Sequence, residues 1–300
     1  MVPRFISSIL RRPKATSERT LTERQQELAQ RQIIAQDTLS RTPAIISEHQ
    51  DQGATADSSF ISGDELPPLD QNVCPKLTWG GTTVVDSDSF TAARDIMKDN
   101  PEAWGKTTVL NLASDAFPAG GWIHSLSKTQ EEALCYSSTL YETLKESYYP
   151  WPNLGPGSVA GIYSPGIVIF KDDLDHNCVD LSEAERRVVS VITVAAPRGP
   201  KLTEDELGFK NESDLEDLKG KIRLVYRMAG HNKQTYLVLG AMGCGAYHCP
   251  PRLVAEQMKS ILLESEFQGW FSQVVFAVYG RSGPAAANFQ IFSKVMRSRG

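Results

Sequence analysis

The chain has 300 residues, 41% of them hydrophobic and 22% charged, which is apolar material for one large core or two small ones and excludes a disordered scaffold. Its 31 Lys and Arg stand against 36 Asp and Glu, a formal net charge of −5 with a pI near 5.6. Such a balance argues against gripping nucleic acid by bulk electrostatics, so any anionic ligand must be held locally.

The first seventeen residues carry Arg4, Arg11, Arg12 and Lys14, no acid before Glu18, and the apolar set Phe5, Ile6, Ile9 and Leu10. This is compatible with a mitochondrial-type presequence, but an ordinary basic, frayed terminus is the expected reading. From Thr22 to Leu39 the composition is helix-forming, with Leu28, Ala35 and Leu39 spaced for one face. Between Arg41 and Lys76 there are six acids and no Lys or Arg, with Gly, Ser and a Pro67-Pro68 pair, which predicts a solvated, partly flexible linker. Short β-rich runs then recur at Thr82 to Val85, Thr107 to Leu112, Val159 to Tyr163, Ile167 to Phe170, Val188 to Ala195, Tyr236 to Leu239 and Val274 to Tyr279. Between them, Leu215, Leu218, Ile222, Val225 and Ala229 share one helical face, and Val254, Met258, Ile261 and Leu262 follow the helix-start signal Pro250-Pro251. The alternation predicts an α/β fold with a mainly parallel or mixed sheet flanked by helices.

Cys74, Cys135, Cys178, Cys244 and Cys249 form no regular framework, which points to a reducing compartment, the cytoplasm or nucleus unless the terminus is a mitochondrial signal. No apolar run is long enough to span a bilayer, so no membrane partner is expected.

In open α/β sheets ligands sit beyond the carboxyl ends of strands, so the loops after predicted strands carry the chemistry. One runs from Asn111 through Ser114, Asp115 and Gly120-Gly121 to Gln130-Glu131-Glu132 at a helix start. Glycines let backbone approach a ligand, and the helix dipole favours two carboxylates in a first turn, whether or not they do anything else. The other runs from Gly240 through Gly243, Cys244, Gly245, Ala246 and Tyr247 to Pro250. Its glycines expose N–H groups that, with the following helix N-terminus, make a phosphate cradle needing no Lys or Arg. It has the spacing of neither a P-loop nor a dinucleotide fingerprint. Cys244, His248 and Cys249, joined by His176 and Cys178, are zinc-ligand types at a spacing that matches no common site. A nucleophile elbow at Cys244 would need glycines where Met242 and Ala246 stand, so a buried structural thiol is expected. His124 and His248 are expected to be solvated loop side chains.

Together the two loops resemble the microbial-type poly(ADP-ribose) glycohydrolases, whose macrodomain fold carries a Gly-Gly-Gly, six to eight residues, Gln-Glu-Glu signature. Here Ala119-Gly120-Gly121, eight residues and Gln130-Glu131-Glu132 match it. The likeness continues through Leu134 to Ser138, Tyr163-Ser164-Pro165, Val168 to Asp172, Ala195-Ala196-Pro197 and Gly240 to Pro251, from roughly Arg24 to Tyr279. The resemblance implies a macrodomain-like sheet with helices on both faces over residues 21–300, a basic tail over 1–20 and an acidic linker near 42–75.

It also implies hydrolysis of the bond joining one ADP-ribose to the next, on poly(ADP-ribose) or ADP-ribosylated protein, with ADP-ribose as product and no cofactor or metal. Carried over by motif, Glu132 is the general acid and Glu131 holds the ribose hydroxyls. Asn111 contacts ribose, and Gly120, Gly121 and Gln130 line the same site. Gly243, Cys244, Gly245, Ala246 and Tyr247 form the diphosphate loop, with Tyr247 where the family usually has Phe. Adjacent helical residues point roughly 100° apart, so the two glutamates cannot flank the bond as the carboxylates of an ordinary glycosidase do. One must be acid and the other positioner. Departures are Ala119 for the first Gly, a bulkier Trp122 to Thr129, Arg198 where Asn is common, and Met242 where Trp is frequent. A mono-ADP-ribosyl hydrolase and a non-catalytic ADP-ribose-binding module stay open as alternatives.

Overall fold

The structure is a computed structural model in which residues 16–280 and 283–298 are described. The basic segment bearing Arg4, Arg11, Arg12 and Lys14 lies outside the described residues. The described chain begins with helix α1 (Thr16–Glu48), strands β1 (Ser59–Ser62) and β2 (Thr82–Val85), and helix α2 (Ser89–Asp99). Strand β3 (Thr107–Leu112), the single turn α3 (Trp122–Ser125) and α4 (Gln130–Ser137) follow, then β4 (Ala160–Ile169), β5 (Arg187–Val194) and α5 (Glu212–His231). Strand β6 (Tyr236–Leu239), α6 (Pro251–Leu262), β7 (Gln273–Ala277) and α7 (Gly283–Arg297) complete it.

These strands form one sheet in the order β1-β4-β5-β3-β6-β7-β2. Strand β4 runs antiparallel to β1 and β5, and the remaining pairs are parallel. Side chains alternate between faces, so in β3 Leu110 packs with Leu218, Ile222 and Val254 of α5 and α6, while Val109 packs with Phe90, Ile96 and Leu134 of α2 and α4. Helices thus cover both faces, which is why the central strands read as continuous apolar runs. The fold is the α/β mixed sheet expected.

Three differences have physical causes. The runs at Val159 and Ile167 are one strand whose register shifts between Ser164 and Ile167, because Pro165 between them has no N–H for the ladder. The acidic stretch near 42–75 is not a solvated linker. Helix α1 continues into it with Thr42, Ile45 and Ile46 buried, β1 pairs with β4, and Leu69 and Cys74 are buried. On α1 the buried face is Ile34, Ala35, Thr38 and Thr42, while Leu28, expected on that face, is exposed. Thr38 donates to the Tyr136 carbonyl at 2.8 Å, and the buried Lys171 ammonium pairs with Asp37 at 2.7 Å, so this face docks through polar contacts that apolar periodicity does not reveal. Among the described residues no helix is long and apolar enough to cross a membrane.

Candidate active site

The parallel neighbours β5, β3 and β6 end together, and the loops leaving them enclose a cavity of about 370 Å³. Ligands of open α/β sheets sit at this end of the strands. Strand β3 pairs with β6 only over Thr107 to Val109, which leaves backbone groups further along it without a strand partner. The Gln130 side chain replaces that strand: its amide donates to the Leu110 carbonyl at 2.8 Å and accepts from the Leu112 N–H at 2.8 Å. Gln130, expected to hold ligand, therefore has its amide committed to the backbone, and it fixes the start of α4 against β3.

That anchorage sets the next two residues. Glu131 is buried, and its carboxylate accepts from the Ser114 N–H at 2.8 Å and the Asn111 amide at 3.1 Å. Burial pushes its carboxyl up to about 8, against the lowering effect of the Ser114 and Asn111 hydrogen bonds and with the Glu132 and Asp115 charges raising it further. Asn111, expected to touch ribose, is fully buried outside the cavity lining, and its contribution is to grip Glu131 and donate to Thr193 at 3.2 Å. The Glu132 carboxylate accepts from the Thr129 hydroxyl through Oε2, and its other oxygen has no hydrogen-bond partner among the described residues.

Gly120 faces both carboxylates. A Cβ built on it would lie 2.7 Å from Glu132 Oε1 and 3.4 Å from Glu131 Oε2, at a φ of +57° that favours glycine. The signature's Gly and its two Glu are thus one constellation. Gly121, expected at the ligand, lies outside the cavity lining and serves as the left-handed residue preceding α3.

Opposite stands the Gly240 to Pro250 loop. The N–H groups of Gly243, Gly245, Ala246 and Tyr247 have no acceptor among the described residues, whereas Cys244 donates its N–H to the Ala241 carbonyl at 3.1 Å. All four residues with open N–H groups line the cavity and Cys244 does not, which removes Cys244 from the expected cradle. Gly243 lies so close over Ala196 and Cys249 that a Cβ would fall 2.6 Å from one and 2.7 Å from the other's sulfur. Burial drives the Cys249 thiol up to about 12 and Cys244 well above its ordinary value, so both remain neutral packing groups. Cys244, His248 and Cys249 do not bring three metal-ligand atoms together. The one such group among the described residues, Asp172, Asp173 and His176, is tied up with Arg94 and Thr91.

A network that the sequence left unassigned braces the two loops. Asp115, buried after β3, accepts from the Tyr247 hydroxyl at 3.1 Å, the Asn153 amide at 3.0 Å and Arg198 Nη2 at 3.0 Å. The Tyr247 hydroxyl thus has a partner that a Phe would leave vacant, and burial with the Asp115 charge pushes this phenol up to about 12. Asp115 and Arg198 are 83 positions apart, so only the meeting of β3 with β5 brings them together. Phe117, Thr129 and Arg198 also line the cavity beyond the residues expected.

A family model for the microbial-type PARG catalytic domain matches residues 10–172. Among solved structures, poly(ADP-ribose) glycohydrolase (PARG) from Thermomonospora curvata is 26% identical with a TM-score of 0.70, over 88% of this chain and 98% of that one. The same enzyme bound to the inhibitor ADP-HPD gives 27%, 0.69, 88% and 98%. PARG from Deinococcus radiodurans in complex with ADP-ribose is 28% identical with a TM-score of 0.67, over 80% of this chain and 94% of that one. No curated protein matches. With the matched model spanning more than half of the sequence and the fold shared almost end to end with these enzymes, the chain belongs to the microbial-type poly(ADP-ribose) glycohydrolase family.

Proposed function

We propose that this protein hydrolyses the ribose–ribose O-glycosidic bond of poly(ADP-ribose) and releases ADP-ribose from chain ends, with Glu132 as general acid and Glu131 as the group that positions the ribose. The observation that carries the reading is the convergence of both carboxylates on Gly120, across one cavity from four open N–H groups of a glycine loop. A diphosphate bound to that loop is held by N–H groups that need no cationic side chain.

Glu132, with one oxygen uncommitted, gives its proton to the leaving ribose oxygen as the C1″–O bond breaks and the sugar takes on oxocarbenium character. Water then adds to C1″ and returns a proton to Glu132, which balances the step. Glu131 is held largely neutral at pH 7, its pKa raised chiefly by burial. Both Glu131 oxygens already accept from the protein, which fits a positioner better than a proton donor. The substrate is then poly(ADP-ribose) or ADP-ribosylated protein, the active unit is one domain over residues 21–300, and five unpaired thiols support work in a reducing compartment, cytoplasm or nucleus.

Purified protein incubated with automodified polymer should release free ADP-ribose, and Glu132→Gln should slow release by about 10²- to 10⁴-fold, as expected when a general acid is lost. Undiminished release by that variant sinks the assignment. Binding of ADP-ribose by wild-type protein without any cleavage would favour the binding-module alternative.

A further inference from the structure

We propose that Lys221 is a positioning residue for the diphosphate: its buried ammonium holds Asn153 from beneath the site and offsets the charge of Asp115, so that the charge of this one side chain tunes ADP-ribose affinity. The inference rests on the glycohydrolase reading above and deepens it.

Lys221 stands on α5 and is fully buried. Its Nζ donates to the Asn153 carbonyl, while Asp217 and Asp115 act on it only through space. An ammonium kept in the interior without an ion pair costs stability, and groups in that state are concentrated at functional sites. Asn153 is the joint of this site. Its amide donates to Asp115 at 3.0 Å and to the Ala196 carbonyl at 2.9 Å, and its Oδ1 accepts from the Arg198 N–H at 2.7 Å. One side chain thus ties the loop after β3 to the loop after β5. Helix α5 fixes that joint twice, because Asp217, one turn before Lys221, accepts from the Gly155 N–H at 2.6 Å. Asp115 in turn holds the Tyr247 hydroxyl of the glycine loop. The Lys221 charge also reaches Cys249, whose sulfur packs against Gly243 at the back of the cradle.

Asp115 braces the two loops, yet it sets a buried acid close to the place a diphosphate would take. Two cations offset it, Arg198 by direct contact on the open side and Lys221 from the interior. The charged and titratable groups that face Lys221 are Asp217 on its own helix, Asp115 after β3 with Arg198 paired to it, and Cys249 before α6. Burial brings the Lys221 ammonium down to about 8, against the opposing influence of Asp217, Asp115 and Cys249. A diphosphate diester has no group that titrates near this pH, so a proton taken up on binding comes to the protein. Bound diphosphate favours the charged lysine, and affinity therefore falls as pH rises through about 8.

Calorimetric titration with ADP-ribose between about pH 7 and 9, in buffers of different ionisation enthalpy, tests this in wild type, Lys221→Met, Lys221→Arg and Asp217→Asn. Wild type should lose affinity across the range and take up a fraction of a proton on binding. Lys221→Met should bind on the order of tenfold more weakly at the lower end, with polymer KM rising in step and kcat changed by less than about twofold. Glu131 titrates in the same range in every one of these proteins, so the deciding quantity is the difference between the wild-type and Lys221→Met curves, which should close as pH rises. Lys221→Arg restores the charge and should recover part of the affinity. Parallel curves for wild type and Lys221→Met, or equal affinity at the lower end, overturn the inference. Asp217→Asn keeps an acceptor for Gly155 but removes a charge that favours the ammonium, so it should move the wild-type midpoint to lower pH. An unmoved midpoint in that variant overturns the inference even if Lys221→Met fails to fold. Wild type that shows the expected binding curves yet leaves polymer intact overturns the glycohydrolase reading and not the role of Lys221.

Discussion

Ala119 carries φ +49° and ψ +39°, a left-handed conformation, at the signature position where the family's first Gly stands. For an L residue that conformation costs about 1–2 kcal/mol. Its methyl, however, is fully buried in the core formed with Trp122 and Leu134, and removing it forfeits about 0.8 kcal/mol of burial. Glycine also has more freedom to lose on folding, about 0.5–1 kcal/mol. The terms nearly cancel, so Ala119→Gly should shift stability by less than about 1 kcal/mol in urea unfolding, while Ala119→Val, overpacked and β-branched at positive φ, should cost about 2 kcal/mol or more. One position along the consequence changes from stability to catalysis. Gly120→Ala sets a methyl 2.7 Å from Glu132 Oε1, inside ordinary contact distance, and must move that carboxylate. Displacement of a reacting group by about 1 Å costs on the order of 10²-fold in rate. The variant should therefore keep its unfolding midpoint within a modest shift and lose about that much polymer cleavage, and full activity would show that Glu132 is not held by contact with Gly120.

At the scale of elements, Gln130 binds α4 to β3 where β6 stops short. Each buried backbone group left without a partner costs about 1–3 kcal/mol, so Gln130→Ala should lower stability by about 2–4 kcal/mol and release the helix that carries both glutamates. Gln130→Glu keeps an acceptor for Leu112 but turns a carboxylate on the Leu110 carbonyl, and it should behave no better than the alanine variant; circular dichroism melts beside activity assays distinguish the two effects. The Gln of the motif was legible in the sequence, but its work was not, because a side chain standing in for a strand is visible only once the length of β6 is known. The same limit hid β1 and the docking face of α1. Ser59–Ser62 alternates too briefly among acids to stand out, and Thr38 joins α1 to the Tyr136 carbonyl of α4 and to the Lys171 ammonium just after β4. Central strands, buried on both faces, announced themselves as apolar runs, and helices α5 and α6 through their three- and four-residue spacing. Glu131, Glu132, Gly120 and the glycine loop were readable through their motif, whereas Asp115, Asn153 and Arg198, scattered over three loops, required the fold to bring them together.

For the molecule as a whole, a net charge of −5 is compatible with the proposed anion cradle because that cradle consists of N–H groups, and a buried carboxyl beside it couples the site to global stability. Glu131 titrates at about 8 in the folded chain, raised from 4.5 chiefly by burial. Between those values the folded state keeps a proton that the unfolded chain has shed. Its contribution is thus fully present below about 4.5 and lost as pH rises through about 8, with a slope of at most about 1.4 kcal/mol per pH unit for one proton. Other groups titrate over this range too, so the informative quantity is a difference. Glu131→Gln replaces the protonated carboxyl with a neutral group of the same shape that still offers Ser114 an acceptor, and it should flatten the decline relative to wild type between pH 5 and 8. Urea midpoints at unit pH intervals measure this, and parallel curves for the two proteins would show that Glu131 ionises in the fold as it does in the unfolded chain. A converging pair of curves at low pH, where Glu131 is protonated in the folded and the unfolded chain alike, with wild type falling below the variant as pH approaches 8, is the outcome that ties the buried proton of the site to the stability of the whole domain.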